Sequence, residues 1–233
     1  MLLTVVAVPP GNGTIRTSPP PPMLTPPSPT ESSDADTPAM PSDWVVRWAA
    51  LLPPTAAILD LACGHGRHVH WLADAGHRLT AIDRDAGLLA PLAMRARTIA
   101  ADLEADPWPI PGERFDAVLV TNYLWRPLFP ALLEAVAPGG LLIYETFALA
   151  QAAIGRPRRP EFLLRPGELL DVLRTPSQAA AEGLLTSENW HVIAFEEGRL
   201  PARGGVPERA VQRIVARRGG SSPVYRDLLA SPG

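Results

Sequence analysis

The chain is 233 residues long, 46% hydrophobic and carries a formal net charge of −3: enough to bury one sizeable core, short for two, and without an overall pull toward nucleic acid. All 21 basic residues are arginine, which takes Schiff-base lysine chemistry and the phosphate-loop lysine out of consideration. A single cysteine excludes an internal disulfide and a multi-cysteine zinc site. No apolar run approaches the roughly 20 residues of a membrane span, so a cytoplasmic protein without membrane partners is expected. The Ala-, Arg-, Gly- and Pro-rich usage suggests a bacterial genome. The apolar opening Met1 to Val8 lacks a basic flank and stops at Pro9-Pro10, so it does not read as a signal peptide.

Residues 1–43 hold eleven of the 28 prolines, and because proline fixes φ and donates no N–H, this segment is expected to be a disordered or polyproline-like tail that builds neither helix nor sheet. Ser42-Asp43 then caps a helix carrying Trp44, Val45, Trp48, Leu51 and Leu52, stopped by Pro53-Pro54. From there the pattern alternates: strand 56–61, helix 66–75, strand 78–82, helix 85–95, strand 97–101, an exposed loop over 106–113, strand 115–121 and a helix near 127–137. Pro138-Gly139-Gly140 turns the chain into strand 141–147. Such alternation argues an α/β fold, a parallel sheet with helices on both faces. The rhythm breaks at 148–166, where Gly155 to Phe162 is irregular, basic and aromatic and follows a strand's carboxyl end. A gate over a pocket and a solvated connection are both open for it. A helix over 167–174 and a second piece from Pro176 to Glu182 precede strands 190–197 and 210–217, whose short connection predicts an antiparallel hairpin. Residues 218–233 return to Gly, Ser and Pro and read as a flexible tail, leaving a domain over 44–217.

The chemistry concentrates at Ile58-Leu59-Asp60-Leu61-Ala62-Cys63-Gly64-His65-Gly66-Arg67-His68, where an apolar run ends in an acid, two glycines follow one residue apart and a helix begins. Glycine admits positive φ and lets a ligand approach without meeting a Cβ. Two further strands end in Asp83 and Asp102, so parallel neighbours line up Asp60, Asp83 and Asp102 along the carboxyl edge of the sheet. Three acids suit a ligand with hydroxyls and positive charge rather than a pyrophosphate, and Val69 stands where a dinucleotide fingerprint needs its third glycine.

Asp60-Leu61-Ala62-Cys63-Gly64-His65-Gly66 resembles the first motif of class I S-adenosylmethionine-dependent methyltransferases, D-x-G-x-G-x-G, with Ala62 in place of the first glycine. Cys-Gly-His-Gly-Arg-His looks closest to small-molecule methyltransferases of the tellurite-resistance type. The resemblance implies a Rossmann-like, seven-stranded, mostly parallel sheet of order 3-2-1-4-5-7-6 with strand 7 antiparallel, and S-adenosyl-L-methionine as cofactor. Carried over position by position, it implies that Asp60, Ala62, Gly64 and Gly66 form the cofactor loop, that Asp83, followed by Arg84, binds the ribose, and that Asp102-Leu103 contacts the adenine. It also implies that Asn122, in Thr121-Asn122-Tyr123-Leu124-Trp125-Arg126, borders the methyl group.

The expected reaction is in-line displacement on the sulfonium methyl, mainly a matter of positioning a nucleophile. A thiolate or selenolate needs no protein base; for an oxygen or nitrogen acceptor the candidates are Tyr123, Tyr144, Glu145 and His65. His65, His68 and His70 do not share the i, i+4 face that chelates a metal, so no metal is expected, and Cys63 reads as a small packing residue. A small-molecule substrate leads. RNA or protein as substrate would require a basic surface around Arg126 and Arg156 to Arg159, and a binding module without chemistry is the third reading. The methyl acceptor, the use of a base and the oligomeric state stay open.

Overall fold

The computed structural model describes residues 3–6, 40–174, 190–203 and 205–219. Strand alternation places apolar side chains on both faces of one sheet. In β2 (Ala57–Leu61), β3 (Arg78–Asp83), β5 (Phe115–Thr121) and β6 (Val136–Phe147), Leu59, Ile82, Val118 and Leu142 pack on one face, Ile58, Ala81, Leu119 and Ile143 on the other. The first face is covered by α4 (Phe129–Ala135) and α5 (Glu168–Arg174) through Leu132, Leu169 and Leu173. The second lies under α1 (Asp43–Ala49), α2 (Arg67–Asp74) and the short α3 (Ala86–Leu89) through Trp44, Val69, Leu72 and Leu89. The Ser42 side chain caps α1 by accepting from Trp44 N, as its sequence position predicts.

With β4 (Ala96–Ala100), β7 (Trp190–Leu200) and β8 (Arg209–Arg218), the sheet runs β4-β3-β2-β5-β6-β8-β7, the expected order counted from the glycine motif. β8 is antiparallel to both β6 and β7, and the remaining neighbours are parallel. An eighth strand, β1 (Leu3–Val6), pairs antiparallel with β7 from Leu3 opposite Glu197 to Val6 opposite Ala194. The expectation that residues 1–43 build no sheet is corrected there. Proline density describes the segment as a whole, whereas Thr4-Val5-Val6 is a β-branched run that an open sheet edge can recruit.

Other differences follow from local chemistry. The helix expected over 85–95 stops at Leu89 and continues as a single 3₁₀ turn, Ala90–Leu92, because Pro91 has no N–H to donate. The helix expected over 127–137 starts as a 3₁₀ turn, Arg126–Leu128, and its last two positions go instead to β6, where Val136 pairs with Phe115 ahead of a register shift. Arg218, assigned to the tail, is the last residue of β8. The helical piece expected at 176–182 and the segment after Gly219 lie outside the described residues. Among the described residues no helix is long and apolar enough to cross a membrane.

Candidate functional site

The loop leaving β2 folds on three left-handed residues, Ala62 (φ +52°), Gly64 (φ +55°) and Gly66 (φ +71°). Ala62 therefore makes the turn a glycine would make, at a cost of about 1–2 kcal/mol for its Cβ, so the departure from the motif leaves the backbone path intact. The two glycines do different jobs. A Cβ on Gly64 would meet nothing within 4 Å, whereas on Gly66, the N-cap of α2, it would come 2.5 Å from Leu92 Cδ2 in the core. Gly64 keeps space open beside the loop; Gly66 lets the loop pack. Asp83, half-buried at the end of β3, ties this loop down: its Oδ2 accepts from Gly64 N at 2.8 Å and its Oδ1 from Asp85 N at 3.0 Å.

An open cavity of about 370 Å³ lies against the loop. Ala62, Asp83 and Arg84 line it together with Ala101, Asp102, Leu103 and Glu104, so seven positions from three strand ends meet there; of the three acids the spacing aligns, Asp83 and Asp102 reach the cavity and Asp60 does not. Asp102 Oδ1 accepts from Glu104 N at 3.0 Å, shaping the turn after β4. Tyr123 and Phe162 complete the walls. The Tyr123 hydroxyl is buried without a hydrogen-bond partner, and burial, with Glu104 and Asp102 nearby, pushes its pKa well up. Asn122 is exposed, with left-handed φ +56°, and its N–H donates to Glu145 O at 2.9 Å. Phe162 was not among the expected site residues; its signal was the one aromatic in the irregular segment 148–166, left open between a gate and a solvated connection. A second cavity, about 340 Å³, lies at the far end of the same edge against Ala148, Leu149 and Ala210, apart from every motif residue.

Beneath α1 and α2 sits a cluster of buried charge. Asp60 is 1% exposed and neither carboxylate oxygen has a donor. Burial lifts its pKa to about 7 against the opposing pull of Arg67. Arg67, first residue of α2, keeps its Nη2 buried without an acceptor, and burial lowers its pKa. His68 Nδ1 is 3.8 Å from Asp60 Oδ2, too far to bond, while its Nε2 accepts from Ser42 N at 3.2 Å; burial depresses its pKa to about 3, so the ring is neutral with the proton on Nδ1. Cys63 has its thiol pushed up to about 12 by burial and then by Asp60, which makes it the packing residue expected rather than a thiolate.

The four acid–base candidates are dispersed. Tyr144 is buried on the α4 face and donates its hydroxyl to Tyr123 O at 2.8 Å, so it braces the segment after β5. Glu145, fully buried on the opposite face, is engaged by Arg209 at 3.3 Å, Arg213 at 3.2 Å and the Ser42 hydroxyl at 3.1 Å. That leaves it no room to act as a free base. His65 is exposed on the glycine loop. Arg126, named for a basic substrate surface, is instead spent internally: its Nε and Nη2 fork onto Glu168 at 2.7 and 2.9 Å. Burial alone would raise the Glu168 pKa, but the bonds from Arg126 and Arg165 outweigh it and hold the carboxyl at about 2.

The family described as "Methyltransferase domain" matches residues 58–140, from the first residue of the motif to the start of β6. No curated protein matches the sequence. Solved structures share the fold. TehB from Haemophilus influenzae aligns with a TM-score of 0.57 at 21% identity over 78% of this chain, which spans 63% of the length of that chain. A S-adenosylmethionine-dependent methyltransferase from Methanosarcina mazei aligns with a TM-score of 0.56 at 15% identity, covering 78% of this chain and 100% of that one. The Burkholderia thailandensis 1,6-didemethyltoxoflavin-N1-methyltransferase, solved with bound 1,6-didemethyltoxoflavin and S-adenosylhomocysteine, gives a TM-score of 0.50 at 22% identity over 76% of each chain.

Proposed function

We propose that this chain, in which residues 58–140 form a methyltransferase domain with S-adenosylmethionine as cofactor, moves the cofactor's methyl group to a small-molecule acceptor. The observation that carries the cofactor's placement is the pair of orphaned charges behind the glycine loop. Asp60 offers two oxygens that lack a donor, and Arg67 a terminal nitrogen that lacks an acceptor. A ligand with an α-ammonium and an α-carboxylate answers both, which the methionine end of S-adenosylmethionine does and a nicotinamide dinucleotide does not.

On this reading Asp83 accepts from the ribose hydroxyls with the lone pairs its two backbone bonds leave free, and Asp102 and Leu103 hold the base. Gly64 leaves the approach unobstructed. The cofactor supplies a methyl carbon activated by a sulfonium leaving group. The chain's own residues bind and orient. Tyr123 and Tyr144 hold their protons far above neutral pH, and Glu145 is locked between two arginines. That supports an acceptor that arrives already deprotonated, such as a thiolate or selenolate. The commitment of Arg126 to Glu168 counts against a nucleic-acid surface. A single buried thiol suits a cytoplasmic setting.

A screen with methyl-labelled S-adenosylmethionine against thiols, chalcogen oxyanions, phenols, total RNA and protein extract tests the proposal. Label is expected in a small thiol or chalcogen product. Label in RNA or protein would replace the acceptor class, and cofactor binding with no transfer to any pool would leave a binding module.

A further inference from the structure

The segment between β6 and α5 is built as a closed loop. Its ends meet where Ala148 bridges Leu164: Leu149 N donates to Leu164 O at 3.0 Å and Leu164 N to Phe147 O at 2.9 Å. From that base the chain reaches across the end of β5, because Phe162 stands on the wall of a cavity otherwise formed at the ends of β2, β3 and β4 and by Tyr123. Short local turns shape its two ends, Leu149–Ala153 and Pro160–Phe162. Within the loop, Gln151 Nε2 donates to Arg156 O at 3.0 Å, Arg159 Nε to Glu161 Oε1 at 2.7 Å and Phe162 N to Arg159 O at 3.0 Å.

Arg126 holds it from outside. Besides its fork onto Glu168, Nη1 donates to Glu161 O and Nη2 to Leu163 O, both at 2.9 Å, so the guanidinium grips the two carbonyls flanking Phe162. Glu168 is 4% exposed and is fixed in turn by Arg165 N at 2.8 Å. A planar, five-donor fork is required for four such bonds in one place; an ammonium cannot make them. On the ring itself, the Arg159 guanidinium lies 5.3 Å from the centroid of Phe162.

We propose that Phe162 is a cofactor-binding residue, the outer aromatic wall of the adenosyl cavity, and that Arg126 is the residue that positions it. The inference rests on the cofactor reading above, which puts the adenine between the ends of β3 and β4. A flat purine there gains from an aromatic face, since base–aromatic stacking is generally worth enough to change affinity about tenfold or more.

Calorimetric titration of S-adenosylmethionine into wild type, Phe162→Ala, Phe162→Trp, Arg126→Lys and the double variant Arg126→Lys/Phe162→Ala tests it, with thermal unfolding of each free protein alongside. Phe162→Ala is expected to bind about tenfold more weakly with an unchanged Tm, and Phe162→Trp to bind like wild type. Arg126→Lys is expected to lose about the same factor, and the double variant to lose no more than Phe162→Ala alone, because Arg126 acts through the ring it places. Glu168→Gln, which keeps the side chain's size, is expected to follow Arg126→Lys. Unchanged affinity in Phe162→Ala, or losses that multiply in the double variant, would overturn the inference alone. A wild type that takes up no S-adenosylmethionine would overturn the methyltransferase reading as well.

Discussion

Asp60 and His68 are buried side by side, and each is driven toward its neutral form, with opposite consequences for stability against pH. The folded pKa of Asp60, about 7, lies above its ordinary 3.8, so the residue costs stability increasingly as pH rises through that window. The folded pKa of His68, about 3, lies below 6.5, so its contribution improves as pH rises over nearly the same range. The two slopes cancel. Wild-type Tm should be flat between about pH 4 and 6.5 as far as this pair is concerned, and Asp60→Asn, which removes only the carboxyl's share, should show a Tm that climbs with pH relative to wild type. Parallel melting profiles would show instead that Asp60 is ionised in the folded protein. Asp83 answers a different question, because it both ties the loop and, on the proposed reading, binds ribose. Asp83→Ala removes two backbone bonds to a carboxylate, each worth about 1.5–3 kcal/mol, so a lower Tm is expected together with at least tenfold weaker S-adenosylmethionine binding. Unaltered affinity, with NAD as the control ligand, would sink the ribose assignment.

Among the elements, the β2–loop–α2 unit was legible because its signals are local: an apolar run, two glycines at fixed spacing and helical periodicity after Gly66. What set the two glycines apart was not legible, since Leu92, which fills the space beside Gly66, comes from a 3₁₀ turn 26 residues on. Gly66→Ala should therefore cost more stability than Gly64→Ala, which suffers only the left-handed penalty of about 1–2 kcal/mol. Comparison of their denaturant midpoints checks this, and adding Leu92→Ala should recover part of the loss at Gly66 alone; equal midpoints for the two single variants would count against it. Tyr144 and Glu145 show the same limit from the other side. Adjacent in one strand, they point to opposite faces, one into the α4 layer and the other into the arginines under α1, so residue type alone named both as bases. Phe162 lines the cavity in a segment held by Arg126 and, behind it, Glu168, 36 and 6 residues away, a clasp with no local signature.

Across the whole molecule, the cavity and the edge strand β1 lie at different ends of the sheet. The strands β2 to β5 supply the cavity, whereas β6, β8 and β7 extend the sheet away from it to the edge that β1 covers. Of the eight strands among the described residues, seven followed from periodicity and loop length. The eighth did not, because a four-residue strand can form only against an edge already built. Its distance from the cavity gives a separable prediction for a chain that begins at Met40. Removing β1 strips four paired residues from β7, so Tm should fall by a few degrees, on the scale of about 2–4 °C per kcal/mol for a domain of this size. Affinity for S-adenosylmethionine should not change. The bared β7 edge offers unpaired N–H and C=O groups, so the truncated protein should also associate more readily than the full chain in concentration-dependent sedimentation. A truncated protein with full Tm and unchanged sedimentation would show that Leu3–Val6 contributes nothing to the sheet. One that lost cofactor affinity would show that the segment reaches the other end of the molecule.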